Sequence, residues 1–112
     1  MPVTVVRYTT APDRADENQG LIEQVFAELN SDRPDGLRYM SVRLEDGVTF
    51  VHVASVETDD SVNPLVSSPA FAEFQREIAS RIVEGPVAMQ GTVVGVYGLP
   101  IAVGVPAAAD ES

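Results

Sequence analysis

An Asp-Gly pair at positions 46 and 47, set between two runs of alternating strand-forming residues, restricts how this chain can fold more than any other feature. Asp-Gly in that setting signals a tight hairpin, because a two-residue type I′ turn needs positive φ at both central positions. The spacing predicts two strands within residues 37–57, folded back at that pair. Leu44 then stands opposite Thr49, Val42 opposite Val51 and Met40 opposite Val53. Strand side chains alternate between faces, so these six share one face, which reads as core. The opposite face carries Tyr39, Ser41 and Arg43 beside Phe50, His52 and Ala54. That face is mixed, apolar with polar groups set into it, and is where a function would sit.

The flanking segments supply the other elements. Residues 3–9 are rich in β-branched side chains and predict a first strand. A polar turn over residues 11–15 precedes Asp16 and Gln19, spaced as a capping box with Asp16 as N-cap. Leu21, Ile22, Val25, Phe26 and Leu29 then form an apolar stripe at the helical period. Residues 31–36 break that helix and lead into the hairpin. Past an acidic loop over 58–64, Ser68 and Pro69 read as N-cap and first residue of a second helix. Its stripe is Phe71, Phe74, Ile78 and Ile82, and Gly85-Pro86 reads as its stop signal. Residues 89–97 predict the last strand. Ile101, Val103 and Val105 alternate beyond it, as a short extra strand or a docking arm, ahead of an acidic tail. The expected division is a domain over 1–98 and a C-terminal arm and tail over 99–112.

Strand, helix, strand, strand, helix, strand is the split βαβ order of a ferredoxin-like α+β domain, a four-stranded antiparallel sheet with two helices on one face. Residues 3–6, 48–56 and 93–97 are apolar on both alternating faces. Two helices cover only one face of a sheet. The economical cover for the other is a second copy, so a homodimer, a dimeric α/β barrel, is expected.

Composition narrows the chemistry. The 112 residues include no cysteine, which removes disulfides, thiolate nucleophiles and thiolate metal sites. Every basic residue is arginine, so no lysine can form a Schiff base. A single histidine excludes multi-histidine metal sites, and no cofactor is implied. A net charge of −10 disfavours nucleic acid and anionic membranes. No apolar run approaches a membrane span and no leader pattern opens the chain, so a cytoplasmic location is expected. A small hydrophobic or aromatic molecule stays open as a partner.

The element order, the Asp46-Gly47 hairpin, the segment Ser-Pro-Ala-Phe-Ala-Glu-Phe-Gln at 68–75 and the Gly-Val-Tyr at 95–97 together resemble the dimeric α/β-barrel proteins of the antibiotic-biosynthesis-monooxygenase type. The resemblance spans residues 3–98. It implies a dimer whose sheets form a barrel, with a pocket between each sheet and its helices. It also implies activities that include cofactor-free oxygenation of polycyclic quinols and haem degradation. Many relatives place a histidine a few residues ahead of the serine-proline; here that place falls near Leu65, and there is no tryptophan. Haem degradation, which needs an axial ligand, fits poorly.

His52 is the first candidate for chemistry. Neutral imidazole, with an ordinary pKa near 6.5, can accept a proton from a phenol or quinol, and the resulting anion can reduce dioxygen directly. Arg43 or Tyr39 would stabilise that anion. The plainer alternative is a buried strand histidine bonded to Ser41 or to a partner chain. Phe26, Phe50, Phe71 and Phe74 either line an aromatic pocket with Ser41 or serve as core. Asp59 and Asp60 read as a solvated loop. Glu73, Arg76, Glu77 and Arg81 read as surface ion pairs, with Glu77 to Arg81 in the favoured i, i+4 order. The leading reading is a cofactor-independent monooxygenase with His52 as base. A non-catalytic ligand-binding or stress-associated barrel, and a lyase or isomerase on the same scaffold, stay open.

Overall fold

The structure is a computed structural model and describes residues 2–57 and 64–98. The acidic pair Asp59-Asp60 and the alternating Ile101, Val103 and Val105 lie outside the described residues. The elements are β1 (Pro2–Thr10), α1 (Ala15–Asp32), β2 (Leu37–Arg43), β3 (Thr49–Val56), α2 (Pro69–Gln75), α3 (Ile78–Arg81) and β4 (Ile82–Thr92). They form one antiparallel sheet in the order β2-β3-β1-β4, with the helices on one face. This is the ferredoxin-like α+β arrangement. No helix among the described residues is long and apolar enough to cross a membrane.

The hairpin has the expected register, with Met40 opposite Val53, Ser41 opposite His52 and Val42 opposite Val51. Its turn is built differently. Only Gly47 has positive φ, at 81°, and its N–H donates to the Leu44 carbonyl. Asp46 keeps an ordinary backbone and works through its side chain, accepting from the N–H groups of Val48 and Thr49 and from the Thr49 hydroxyl. These bonds hold its carboxyl below the usual carboxylate range. An Asp side chain that closes the loop locally removes the need for a second strained residue.

Which sheet face is packed also departs from the expectation. The helices cover the mixed face, where Tyr8 and Phe50 meet Val25, Leu29 and Phe74 in the core. Burying a side chain of this size contributes about 2 kcal/mol. The face expected to be core is left open within one chain: Met40, Val87 and Met89 are 47%, 58% and 66% exposed, with Arg7 and Arg38 on the same face. A mixed face can be buried because its polar groups bond one another, as the site below shows.

Both helix starts can be compared with expectation. Ser68 caps α2, its hydroxyl accepting from the Phe71 N–H at 3.0 Å, with Pro69 in the first turn. By contrast α1 begins at Ala15, after a 3₁₀ turn over Pro12–Arg14, with no side-chain cap. Asp16 is inside the first turn and bonds Arg43. There its charge still favours the helix dipole.

The second helix is shorter than its stripe suggests. It breaks at Glu77, whose φ is 62°, and resumes as α3 for one turn. The last strand starts at Ile82, and residues 93–97 carry no strand. Gly85-Pro86 therefore lies inside β4 and is no helix stop. At φ 92°, a Cβ on Gly85 would sit 2.9 Å from the Arg7 carbonyl oxygen. Glycine lets β4 bulge against β1, where the register shifts. Proline is tolerated next to it because β4 is an edge strand with a free N–H side.

Candidate functional site

Beneath the helices, polar side chains from five elements join in one line. The pairing of Tyr8 with Phe50 and of Val6 with His52 puts Tyr8 and His52 on the same face of neighbouring strands. Ser41 lies directly across from His52 on β2. The Tyr8 hydroxyl is 2.9 Å from His52 Nε2. On the other side of the ring, Nδ1 is 2.8 Å from the Tyr39 hydroxyl and 2.7 Å from Ser41 Oγ. From Tyr8 the line continues away from the ring. Asn18 on α1 donates to the Tyr8 oxygen at 2.8 Å, and Arg81 on α3 donates through Nε to Asn18 Oδ1 at 3.0 Å. Arg81 Nη2 donates to the Phe74 carbonyl at 2.6 Å, and the guanidinium lies over the Phe74 ring. Asn18 is fully buried and Arg81 is 2% exposed.

A cavity of about 470 Å³ opens between this line and the second helix. Tyr39, His52 and Tyr8 form the polar part of its sheet wall. Val6, Ala54, Leu65, Phe71, Phe74 and Ile78 make most of the rest apolar, with polar Thr4, Gln75 and Gln90 also on the lining. That volume is in the range of small-molecule sites. Burial pushes the His52 pKa down from 6.5 to about 4, so the imidazole is neutral at pH 7. The same desolvation raises Tyr8 to about 12, although the Asn18 hydrogen bond opposes it, and raises Tyr39 as well. The wall is uncharged and hydrogen-bonding. Among the described residues no group of three histidine, aspartate or glutamate side chains comes together to hold a metal ion.

His52, Tyr39, Phe71 and Phe74 all line this cavity. Ser41 stands behind the ring and orients it. Phe50 is buried beneath, stacked on Tyr8 at 5.6 Å. Phe26 stacks on Tyr39 at 4.9 Å and lines a separate, smaller hollow that shares Tyr39 as a wall. Arg43 points away, bonding Asp16, Gln19 and the Gly47 carbonyl, and is not on the cavity lining. Of the ion pairs expected on the second helix, Glu73 and Arg76 meet at 2.7 Å. Arg81 does not reach Glu77, because the break at Glu77 turns Arg81 inward onto Asn18 and the Phe74 carbonyl.

Sequence reasoning passes over Tyr8 and Asn18 and places Arg81 in a surface ion pair, whereas the structure buries it. A signal for two of them existed. Asn18 continues the α1 stripe one turn back from Ile22, and Arg81 lies three residues on from Ile78. A polar residue on an apolar stripe is buried with a partner or not buried at all.

No protein-family model matches the sequence, and no curated protein matches it. Solved structures do match the fold, among them proteins named as antibiotic biosynthesis monooxygenases and a cofactor-independent oxygenase. The chain has the ferredoxin-like fold of that class. Rv0793 from Mycobacterium tuberculosis is 16% identical, with 86% of this chain and 98% of that one aligned at a TM-score of 0.65. A protein described as an antibiotic biosynthesis monooxygenase is 12% identical, over 85% of this chain and 100% of that one, at 0.64. SnoaB, a cofactor-independent oxygenase from Streptomyces nogalater, is 16% identical over 85% and 94%, at 0.60.

Proposed function

We propose that the chain takes a small, flat aromatic or polyketide-type molecule into the cavity beside His52 and oxygenates it without a cofactor. The observation that carries this is the wall itself: neutral Tyr39, His52 and Tyr8 in a hydrogen-bonded row along one side of a mostly apolar cavity. The shared fold with SnoaB, named as a cofactor-independent oxygenase, supports the choice of reaction.

A phenol that loses its proton becomes electron-rich enough to reduce dioxygen. For 1-naphthol the balance is one naphthol and one dioxygen giving one 1,4-naphthoquinone and one water. One oxygen atom enters the ring as the new carbonyl. The other leaves as water with the hydroxyl hydrogen and the hydrogen of the attacked carbon. An imidazole whose conjugate acid lies near 4 is a poor final home for a phenol proton. The role this geometry supports for the row is hydrogen bonding to the substrate oxygen as it becomes anionic, while the proton passes to solvent.

The test is oxygen uptake with 1-naphthol under ¹⁸O₂, with a protein-free blank. The proposal expects one labelled atom in the quinone and a rate that rises with pH as the naphthol ionises. Tyr39→Phe should slow turnover by about tenfold or more, the loss of one hydrogen bond to an anion. No uptake above the blank would overturn the enzymatic reading. One observation favours a second reading, a barrel that binds such a molecule without turning it over: both ring nitrogens of His52 are already held by protein groups. It would give thermal stabilisation by 1,4-naphthoquinone and no oxygen uptake.

We propose as well that two copies pair through the open sheet face. Met40 and Val42 of β2, Leu44 just past its end, and Val87 and Met89 of β4 are exposed there together, around Arg7. A patch of that kind is costly to leave in water.

A further inference from the structure

We infer that Arg81 is a positioning residue whose hydrogen bond to Asn18 sets the direction of the whole buried line, making Tyr39 a hydrogen-bond donor into the cavity. The cavity then selects molecules that present an acceptor oxygen, a carbonyl or a phenolate. The inference rests on the reading that this cavity is the ligand site, and deepens it.

The direction follows from counting hydrogens. A guanidinium has donors only, so the Asn18 oxygen must face Arg81 Nε, 3.0 Å away. The amide nitrogen is thereby turned toward Tyr8, and the Tyr8 oxygen accepts from it at 2.8 Å. Tyr8 must place its own hydrogen elsewhere, and the remaining partner is His52 Nε2 at 2.9 Å. Nε2 is therefore bare. A neutral imidazole with a bare Nε2 carries its hydrogen on Nδ1. That hydrogen is directed at Tyr39 and Ser41, at 2.8 and 2.7 Å. That hydrogen reaches the Tyr39 oxygen from the protein side, and the tyrosine's own O–H is left to point into the cavity.

Charge acts in the same sense. Arg81 is buried, and among the described residues no carboxylate pairs with it. With Glu17 felt only through space and no carboxylate among the described residues in direct contact, the buried cation is met by dipoles, here the Asn18 amide and the Phe74 and Arg76 carbonyls. Its field polarises the bonds that follow, each donor strengthening the next toward Tyr39.

The chain's single histidine makes the test direct, since ¹⁵N-histidine labelling reports one ring only. The wild-type spectrum at pH 7 should show the hydrogen on Nδ1. In Asn18→Asp the new carboxylate accepts from both Arg81 and Tyr8. Tyr8 then turns its hydrogen away from the ring, the imidazole hydrogen moves to Nε2, and Tyr39 donates inward. The spectrum should flip accordingly, and affinity for 1,4-naphthoquinone should fall about tenfold, the worth of one hydrogen bond. A wild-type hydrogen on Nε2, or an Asn18→Asp hydrogen still on Nδ1, would overturn the inference. Should Asn18→Asp fail to fold, the wild-type spectrum and Tyr39→Phe decide. Tyr39→Phe should cost about tenfold for 1,4-naphthoquinone and under twofold for naphthalene, which lacks an acceptor. An equal loss for both overturns it. Absence of turnover with 1-naphthol would count against the oxygenase reading alone, because neither the tautomer nor quinone binding depends on turnover.

Discussion

His52 shows how burial changes what a residue can do. Unfolded, its imidazole takes a proton below about 6.5; folded, it does so only near 4. Between those values the unfolded chain binds more protons, so acidification favours unfolding. Urea unfolding at pH 5 should therefore give a stability about 2 kcal/mol lower than at pH 7 from this group alone. His52→Gln should lack that component, and an unchanged pH slope in the variant would count against it. The neighbour relation of His52, Ser41 and Tyr39 was legible, because hairpin register fixes who faces whom. Tyr8, Asn18 and Arg81 were not, since they come from three other elements and meet only after the helices dock. Arg81 was hidden by a plausible surface alternative, an i, i+4 partner at Glu77, which the helix break removes.

Local signals succeeded where one interaction controlled the outcome. Ser68 caps α2 through a single hydrogen bond. Ser68→Ala should cost about 1 kcal/mol by urea titration, and a change near zero would mean the cap is not holding the helix. They failed where two outcomes share a signal. Gly85-Pro86 ends a helix in many sequences, yet here the glycine serves a strand bulge pressed on the Arg7 carbonyl. Gly85→Ala combines positive φ with that close approach and should cost about 2 kcal/mol or more. A helix-end role would make the loss smaller and confine it to α3. Asp-Gly at 46–47 gave the right register through a different turn, because register depends on where the chain reverses and not on which residue carries the unusual φ.

Considered whole, the molecule uses its sheet twice. The face under the helices holds the cavity and its polar line; the other is mostly apolar and open in a single chain. Sedimentation at micromolar concentration should show twice the mass of one chain, and Val42→Glu, placing a charge on the open face, should shift it toward one. The cavity claim is tested most directly by isothermal titration of 1,4-naphthoquinone into the wild-type protein and into Ala54→Phe, whose ring would occupy the cavity from its sheet wall. The account predicts one molecule bound per wild-type chain and no measurable binding to the variant. Absence of binding to the wild type, or equal binding to both, would contradict it.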